Sequence, residues 1–462
     1  MNTICERLTQ RFTQIYEGKK PTAYITVPGR VNLIGEHTDY NGLPVMPMAI
    51  ARGIRIVLAP RGDALVHVTN AKAEFGTREF AVSKNIPPYV TGDWGNYIKS
   101  GAQGVIEAYA SSQNGMLGFD ALIDSDLPMA AGLSSSSALV VASALALMAA
   151  NGIPLERTSL AEQMAAAERY VGTMGGGMDQ AVILLAQADS ALKIDFYPLR
   201  TQSVTLPEGY SVVICNSLVV APKTEAARLN YNRRPLECHL ATALLAHHMS
   251  TTGGSAVQAE RMADLLRYKN VRRLLALAAD YLGEGPWTRE KAAAELNMTI
   301  SQLEQRFFLM RDGQILPEYP EGMPLLQRVR HVLTEGERVE ASLTALAAGD
   351  ANAFGRLMHE SHASCRDLYG ISCPELEQLV DAARKAGAVG ARLTGAGFGG
   401  CTVNLVANDK VAEFKEQVVK VYYEGYLHTH KPALYQTFAE NDPESMVIVS
   451  TPADGAVINQ LS

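Results

Sequence analysis

A chain of 462 residues with 47% hydrophobic and 19% charged residues has a globular composition and exceeds what one hydrophobic core usually fills, which predicts two domains. The net charge of −7 argues against a nucleic-acid partner, and no apolar run reaches the roughly 18 residues needed to span a bilayer. The six cysteines form no CxxC pair and the first twenty residues are too charged for a signal peptide, so we expect a cytoplasmic protein without a membrane segment.

The first predicted elements are a helix and a strand. Apolar residues recur at helical spacing over residues 3–16, and the apolar run 23–27 predicts a strand. Directly after it, residues 28–42 read Pro-Gly-Arg-Val-Asn-Leu-Ile-Gly-Glu-His-Thr-Asp-Tyr-Asn-Gly. This motif places one arginine, two carboxylates and one histidine close together beside a strand. Taken alone, it is equally compatible with a solvated loop.

The second motif lies where a helix begins. Strands are predicted at 53–58, 65–68 and 119–123, and Gly132 with four serines then precedes an Ala-, Leu- and Val-rich helix at 139–150. The first N–H groups of a helix are unsatisfied and the helix dipole is positive there, so the serines predict a phosphate-binding loop. The alternative is an ordinary serine N-cap, for which one serine is enough. No GxxxxGK[ST] sequence occurs, so this is not a Walker-type loop.

The third motif combines glycines with a carboxylate. Residues 175–177 are glycines that let the backbone approach a ligand or take positive φ, and they place Asp179 on a sharp turn. Phosphoryl transfer to a hydroxyl needs one carboxylate to take the proton, and a second carboxylate with a hydroxyl to hold Mg²⁺. Asp179 fits the first role, and Glu168 with Ser136 fits the second. Taken singly, such an aspartate is more often a turn residue and such a glutamate a solvated one.

The second half of the chain reads mostly as helices after a boundary near 198–208. Two short helices within 287–307 resemble a DNA-binding helix-turn-helix, but the second of them carries one base against one acid. A helical insertion packed on the second domain is the better interpretation.

The last motif, GxGxxG at 395–400, is followed by a strand rather than a helix, which excludes a dinucleotide fingerprint. Closing strands are predicted at 446–450 and 456–458.

Together these motifs resemble those of galactokinases, within the GHMP small-molecule kinases. Residues 29–42 resemble the sugar-binding signature, 132–136 the phosphate loop and 392–403 the glycine-rich third motif, in the expected order. The resemblance implies an α+β protein of two domains with the active site in the cleft between them. It also implies ATP-dependent phosphorylation of the anomeric C1 hydroxyl of galactose. We place the domains at 1–205 and 206–462, with a helical insertion near 283–312 in the second.

The resemblance also assigns roles to individual residues. Arg30 and Asp179 are the catalytic pair. The expected sugar contacts are Arg30, Glu36, His37, Asp39, Gly176, Asp179 and Tyr231. The expected nucleotide contacts are Trp94, Ser125, Gly132, Leu133, Ser134, Ser135 and Ser136. Mg²⁺ is expected on Ser136 and Glu168, and the enzyme is expected to be a monomer whose only partners are the sugar and Mg-ATP.

Two alternatives remain open at this level. The three-glycine turn, where many bacterial galactokinases carry Cys-Gly-Ile, and the 287–307 insertion are more similar to N-acetylgalactosamine kinases, whereas Tyr231 is typical of galactokinases proper. The other alternative is a catalytically silent galactose sensor. Such sensors lose residues from the serine loop, which is intact here.

Overall fold

The computed structural model describes residues 3–109, 115–128, 130–172, 174–220, 225–310 and 313–461. Its strands are β1 Ala23–Ile34, β2 Met46–Pro60, β3 Leu65–Asn70, β4 Thr77–Ala81, β5 Phe119–Ser125, β6 Ser190–Asp195, β7 Arg200–Thr205, β8 Tyr210–Asn216, β9 Gly390–Thr394, β10 Cys401–Ala407, β11 Val447–Ser450 and β12 Val457–Gln460. Its α-helices are α1 Thr3–Ile15, α2 Gly95–Tyr109, α3 Ser135–Ala150, α4 Arg157–Ala167, α5 Met178–Leu185, α6 Glu225–Gly253, α7 Met262–Leu265, α8 Val271–Leu282, α9 Arg289–Glu295, α10 Ile300–Phe307, α11 Leu325–Ala347, α12 Ala351–Ser364, α13 Pro374–Lys385, α14 Val411–Val418, α15 His428–His430 and α16 Pro432–Ala439. None of these helices combines the length and apolar character needed to cross a membrane.

The first compact unit comprises Met1–Val31, Met48–Leu192 and Thr451–Ser462. Its sheet has the strand order β12-β1-β2-β5-β3-β4 in the described residues, with β3 and β5 parallel. One face of α1 covers this sheet, where Leu8 and Phe12 pack in a buried cluster with Tyr24. The helix α3 is buried along most of its length, which explains why it is apolar on all sides.

The second compact unit comprises Asn32–Pro47 and Lys193–Ser450. Its antiparallel sheet has the order β11-β8-β10-β9, and the helices α13 and α14 pack against it. The predicted pair of short helices within 287–307 is confirmed as α9 and α10. Leu303 and Phe307 of α10 are buried, and the ring of Phe307 lies 5.0 Å from that of His239 on α6.

The strand β1 is longer than the sequence predicts. It continues past residue 27 through Arg30 to Ile34, and all but one of its twelve residues are buried. A buried arginine and asparagine within the strand interrupt the apolar run, so the sequence pattern predicts a loop where the backbone remains extended.

The compact units are discontinuous, whereas the sequence predicts one boundary after residue 205. The last strand, β12, pairs with β1 from Ala23↔Gln460 to Thr26↔Val457, so the end of the chain belongs to the first unit. Residues 32–47 belong to the second unit because buried hydrogen bonds tie them to α11 and β9. Pairing between residues more than 400 positions apart leaves no local sign in the sequence.

A buried glutamate and histidine of α11 hold the start of the segment 32–47. Glu335 Oε1 accepts the backbone N–H groups of Gly35 at 2.9 Å and Glu36 at 3.1 Å. His331 Nε2 donates to the carbonyl of Glu36 at 2.9 Å, and its Nδ1 therefore accepts from Ser364 Oγ at 2.8 Å. Burial lowers the pKa of His331 to about 4, although the Glu335 carboxylate nearby acts in the opposite direction. The imidazole of His331 is therefore neutral in the folded protein near pH 7.

The lowered pKa of His331 predicts that the stability of the folded state depends on pH. Between about pH 6.5 and pH 4 the unfolded chain protonates His331 while the folded chain does not, so the folded state loses stability as the pH falls through this range. The loss is at most about 1.4 kcal/mol per pH unit for one group. We expect His331→Gln, whose amide can still donate to Glu36, to reduce this slope in urea unfolding across the range. The exposed His428→Gln is the control, and an unchanged slope in His331→Gln would contradict the assignment.

Candidate active site

The first unit pairs Arg30 with Asp179, the two residues to which the family resemblance assigns the catalytic role. Arg30 on β1 donates from Nε to Asp179 Oδ1 at 2.7 Å and from Nη2 to Oδ2 at 3.0 Å. A third N–H group, on Nη1, donates to the carbonyl of Gly132 at 2.5 Å. The Arg30 side chain is 6% exposed and that of Asp179 is 22% exposed. The bidentate pair therefore fixes the orientation of a carboxylate that solvent can still reach.

Asp179 lies on a helix rather than on an isolated turn. Gly177 has φ +106, a conformation that suits glycine, and it caps α5, whose second residue is Asp179. A carboxylate in the first turn of a helix is stabilised by the helix dipole. Gly176, another predicted contact, is half-buried just before this helix. The glycines thus predict the backbone turn correctly but give no sign of the short helix after it.

The serine loop has the helix start that the sequence predicts. The helix α3 begins at Ser135, and Ser134 before it has φ +57. The Ser134 side chain makes no capping hydrogen bond and instead donates to Asp179 Oδ2 at 2.5 Å. The alternative of an ordinary serine N-cap is therefore wrong for Ser134. The first N–H groups of α3 have no carbonyl within the helix to bond, and unsatisfied N–H groups of this kind are a common phosphate-binding feature of proteins.

The remaining residues predicted as nucleotide contacts lie in different surroundings. Leu133 is buried, and its carbonyl accepts the Arg30 backbone N–H at 3.2 Å, while Ser135 and Ser136 are half-buried at the start of α3. Ser125 ends β5, where its hydroxyl accepts the Leu127 N–H at 3.2 Å. Ser125 and Leu133 thus shape the loop, whereas Ser135 and Ser136 lie at its helical end.

Glu168 contacts Ser137 rather than Ser136. The Ser137 hydroxyl donates to Glu168 Oε1 at 2.8 Å and also lies 3.3 Å from Asp179 Oδ2, so one hydroxyl links both carboxylates. Gln180 donates to Glu168 Oε2 at 2.5 Å. Loss of water around its carboxylate, together with the charge of Asp179, raises the pKa of Glu168 to about 7. Neither Ser137 nor Gln180 is among the predicted site residues, although each directly follows one of them.

Trp94 follows a segment, residues 84–90, whose backbone is bound by side chains of α2. The indole Nε1 donates to the Phe75 carbonyl at 2.8 Å, and the Arg78 guanidinium lies 5.5 Å from the ring centroid. Three α2 side chains at helical spacing bind the preceding backbone: Asn96 binds Tyr89 and Val90, Lys99 binds Pro87, and Gln103 binds Lys84 and Ile86. The spacing of these polar residues along α2 is the sequence signal that corresponds to this arrangement.

In the second unit, Glu36 forms a buried ion pair with Arg392. Glu36 Oε2 accepts from Arg392 Nη2 at 2.7 Å and from the Gly395 N–H at 3.2 Å. Arg392 is fully buried and also donates to the Asn32 carbonyl at 2.9 Å. The resemblance implies that Glu36 is a sugar contact, which stays a prediction, and in the structure its carboxylate binds the glycine-rich third motif. Arg392 opens that motif, which is the only sequence signal for its role.

The second unit also brings His37 and Tyr231 together. The ring of Tyr231 on α6 lies 5.6 Å from that of His37, between centroids. Burial lowers the pKa of His37 to about 3, so the ring is neutral near pH 7. Asp39 is half-buried at the start of a short 3₁₀ turn, Asp39–Asn41. The rings of Tyr40 and Tyr369, which the motifs do not predict as site residues, lie 5.8 and 5.1 Å from that of His37.

Comparison with known proteins gives a consistent family. Three family models match the chain: the galactokinase galactose-binding signature at residues 10–60, the GHMP kinase N-terminal domain at 96–187 and the GHMP kinase C-terminal region at 342–424. The chain is similar to a galactokinase of Dictyostelium discoideum, with 35% identity over 98% of this chain and 93% of that one. It is also similar to a galactokinase of Roseiflexus sp., with 36% identity over 90% and 91%.

A solved structure agrees with these relatives. Lactococcus lactis galactokinase, complexed with galactose, matches with a TM-score of 0.73 and 26% identity over 98% of this chain and 100% of that one. The predicted α+β GHMP kinase fold is confirmed by this match. The chain therefore belongs to the galactokinase family.

Proposed function

We propose that this protein transfers the γ-phosphoryl group of ATP to the anomeric C1 hydroxyl of galactose. The observation that carries the proposal is Asp179, a partly exposed carboxylate that Arg30 and Ser134 hold beside the start of α3. This places a proton acceptor next to a helix N-terminus of the kind that binds phosphates. Membership of the galactokinase family and the galactose-bound relative support the choice of substrate.

The residues of the first unit take different roles in this reaction. The C1 oxygen of the sugar attacks the γ-phosphorus, the bond from that phosphorus to the β–γ bridging oxygen breaks, and Asp179 takes the hydroxyl proton. Arg30 keeps Asp179 in place and offers its positive charge to the transferring phosphoryl group. Ser134, Ser135 and the first N–H groups of α3 bind the phosphates, and Trp94 contacts the adenine.

The residues of the second unit are proposed to recognise the sugar. A hexose offers only neutral hydroxyls, so a site distinguishes epimers by fixed donors and acceptors that the wrong epimer leaves unpaired. Glu36, His37, Asp39 and Tyr231 would supply these groups. The buried Arg392 and Glu335 bind the segment 32–47, which carries Glu36, His37 and Asp39, and keep it in one conformation.

The residues near Glu168 fit a magnesium ion. Mg²⁺ in phosphoryl-transfer sites takes one or two carboxylate or hydroxyl ligands from the protein and further ligands from the phosphates. Here Ser137 joins two carboxylates through one hydroxyl, which gathers negative charge that a cation would neutralise. Ser136, one residue earlier at the start of α3, is half-buried and oxygen-bearing. Glu168 and Ser136 would hold the ion, which when bound would offset charge on the β- and γ-phosphates.

The proposed setting is the cytoplasm, and the proposed form is a monomer. The cysteines of the described residues are free thiols, and five of the six are buried, which suits a reducing compartment. The partners included in the proposal are the sugar and Mg-ATP.

The role of Asp179 can be tested by removing its charge. We expect Asp179→Asn to lower kcat by at least roughly 10², the usual scale for a lost general base, while ATP and galactose binding stay within about tenfold. Steady-state kinetics and calorimetry measure the two effects. The control is Asp120→Asn, because Asp120 is also a carboxylate of the first unit paired with an arginine, Arg61. Near-normal turnover in Asp179→Asn would rule out this role.

The role of Ser136 can be tested by the metal dependence of nucleotide binding. We expect Ser136→Ala to weaken Mg-ATP binding by about tenfold and to change metal-free ATP and galactose binding by much less. An ordinary cap loss would instead cost about 1 kcal/mol of stability and leave nucleotide affinity unchanged. Ser143→Ala on the same helix, whose hydroxyl bonds the Ile98 carbonyl, is the control. Equal weakening with and without Mg²⁺ would contradict the metal assignment.

The substrate can be tested by an ADP-release assay that compares kcat/KM for galactose, N-acetylgalactosamine, galactosamine and arabinose. A site shaped for a hydroxyl at C2 would be overpacked by an acetamido group at a cost of about 1–3 kcal/mol, so we expect galactose to be favoured about 5- to 150-fold. Turnover of N-acetylgalactosamine that equals or exceeds that of galactose would support the N-acetylgalactosamine kinase alternative. Galactose binding without phosphorylation would support the sensor.

A further inference from the structure

A chain of four side chains runs from a backbone carbonyl into the core of the second unit. His37 Nε2 lies 3.3 Å from the Ala396 carbonyl oxygen, and His37 Nδ1 lies 2.9 Å from the Tyr40 hydroxyl. The Tyr40 hydroxyl lies 2.6 Å from that of Tyr369, which in turn lies 3.2 Å from Cys238 Sγ. The three contacts between side chains join residues that do not belong to the same helix or strand. The roles that the family resemblance assigns do not include this connection of His37 to two tyrosine hydroxyls.

The carbonyl at one end determines the direction of every hydrogen bond in this chain. A carbonyl oxygen can only accept, so the hydrogen of the neutral imidazole lies on Nε2, and Nδ1 must accept from Tyr40. The Tyr40 oxygen is then free to accept, and Tyr369 donates to it. The Tyr369 oxygen in turn accepts from the thiol of Cys238. Reversing the chain would place the lone pair of Nε2 against that of the carbonyl.

The packing of Tyr369 keeps this chain in one geometry. Tyr369 is fully buried, and its ring lies 4.2 Å from that of His331 and 5.1 Å from that of His37, between centroids. Arg328 donates to the Tyr369 carbonyl at 2.8 Å and is itself paired with the buried Glu237 at 2.6 Å. Because the backbone and the ring of Tyr369 are both held, its hydroxyl has a defined position relative to Tyr40.

We propose that Tyr40 and Tyr369 are positioning residues that hold His37 in the tautomer with its hydrogen on Nε2, so that His37 meets the sugar only as a hydrogen-bond donor. This inference rests on the proposed function for the statement that His37 binds galactose. The lone pair of Nδ1 is occupied by Tyr40. The Nε2–H group makes only a long contact, 3.3 Å, with the Ala396 carbonyl, and a sugar oxygen can share that hydrogen or replace the carbonyl as its acceptor. His37 then distinguishes a sugar that presents an acceptor from one that does not.

The test uses three tyrosine-to-phenylalanine variants of the full chain. Tyr40→Phe removes the donor to Nδ1, and Tyr369→Phe removes the group that orients Tyr40. Tyr422→Phe is the matched control, because Tyr422 is also a buried tyrosine of the second unit whose hydroxyl donates to a carbonyl, that of Ser217 at 2.9 Å. For each variant we would measure the melting temperature, KM for galactose and for ATP, kcat, and the ¹⁵N spectrum of histidine-labelled protein, with His37 assigned by a His37→Gln variant.

The expected results separate a positioning role from a purely structural one. In wild type the hydrogen lies on Nε2 of His37. Tyr40→Phe should place a fraction of this hydrogen on Nδ1. It should also raise KM for galactose about tenfold, which is the effect of losing one hydrogen bond of about 1.4 kcal/mol. KM for ATP should stay unchanged within about twofold. Tyr369→Phe should show the same changes to a smaller extent. Tyr422→Phe should lower the melting temperature without either effect.

Other outcomes overturn the proposal in distinguishable ways. A wild-type hydrogen on Nδ1 would show that the chain runs in the opposite direction. A Tyr40→Phe protein with the wild-type tautomer and the wild-type KM for galactose would show that the two tyrosines do not position His37. If Tyr40→Phe is unstable, the same measurements on Tyr369→Phe test the proposal. If wild type neither binds nor phosphorylates galactose, the proposed function fails, whereas the tautomer measurement still tests the hydrogen-bond chain.

Discussion

The carboxylate of Asp179 is the group on which the geometry of the first unit depends. It accepts from Arg30 on β1 and from Ser134 at the start of α3, while it is itself carried by α5. One strand and two helices are therefore joined through two oxygen atoms. Hydrogen bonds to an ionised acceptor are stronger than neutral ones. This helps to explain how Ser134 is kept at φ +57, a conformation that costs a residue with a side chain about 1–2 kcal/mol.

The second unit depends on buried charges instead. Glu36 and Glu335 are almost completely buried. Glu36 is paired with Arg392, and Glu335 is paired with Arg338. Burying such groups costs free energy unless the hydrogen bonds are complete, and breaking one pair leaves an uncompensated charge. The ion-paired carboxylates hold the segment 32–47 in one conformation. The sugar signature is thus a structural motif as well as a binding motif: its Glu36 holds the third motif, and its Gly35 and Glu36 N–H groups are held by α11.

Much of the fold could be predicted from the sequence wherever the signal is local. The helical period at residues 3–16 corresponds to α1, and the glycine-to-strand order at 395–406 corresponds to β10. Predictions were incomplete where a buried polar residue interrupts an apolar pattern, as Arg30 does in β1. They were also incomplete where neighbouring residues share one chemistry: four serines predict a helix start, but spacing alone does not show that Ser137 is the one that contacts Glu168.

By itself, the sequence determined which chemical groups the protein has and the backbone geometry close to them. The glycines around Asp179 and the serines before α3 act through φ angles and helix ends, which depend on a few adjacent residues. Only the tertiary structure decided how those groups pair. The Glu36–Arg392 ion pair joins residues 356 positions apart, and the tautomer of His37 follows from a carbonyl 359 positions away. Such pairings depend on the packing of distant elements, because hydrogen-bond partners are selected by distance and direction in space and leave no periodicity in the chain.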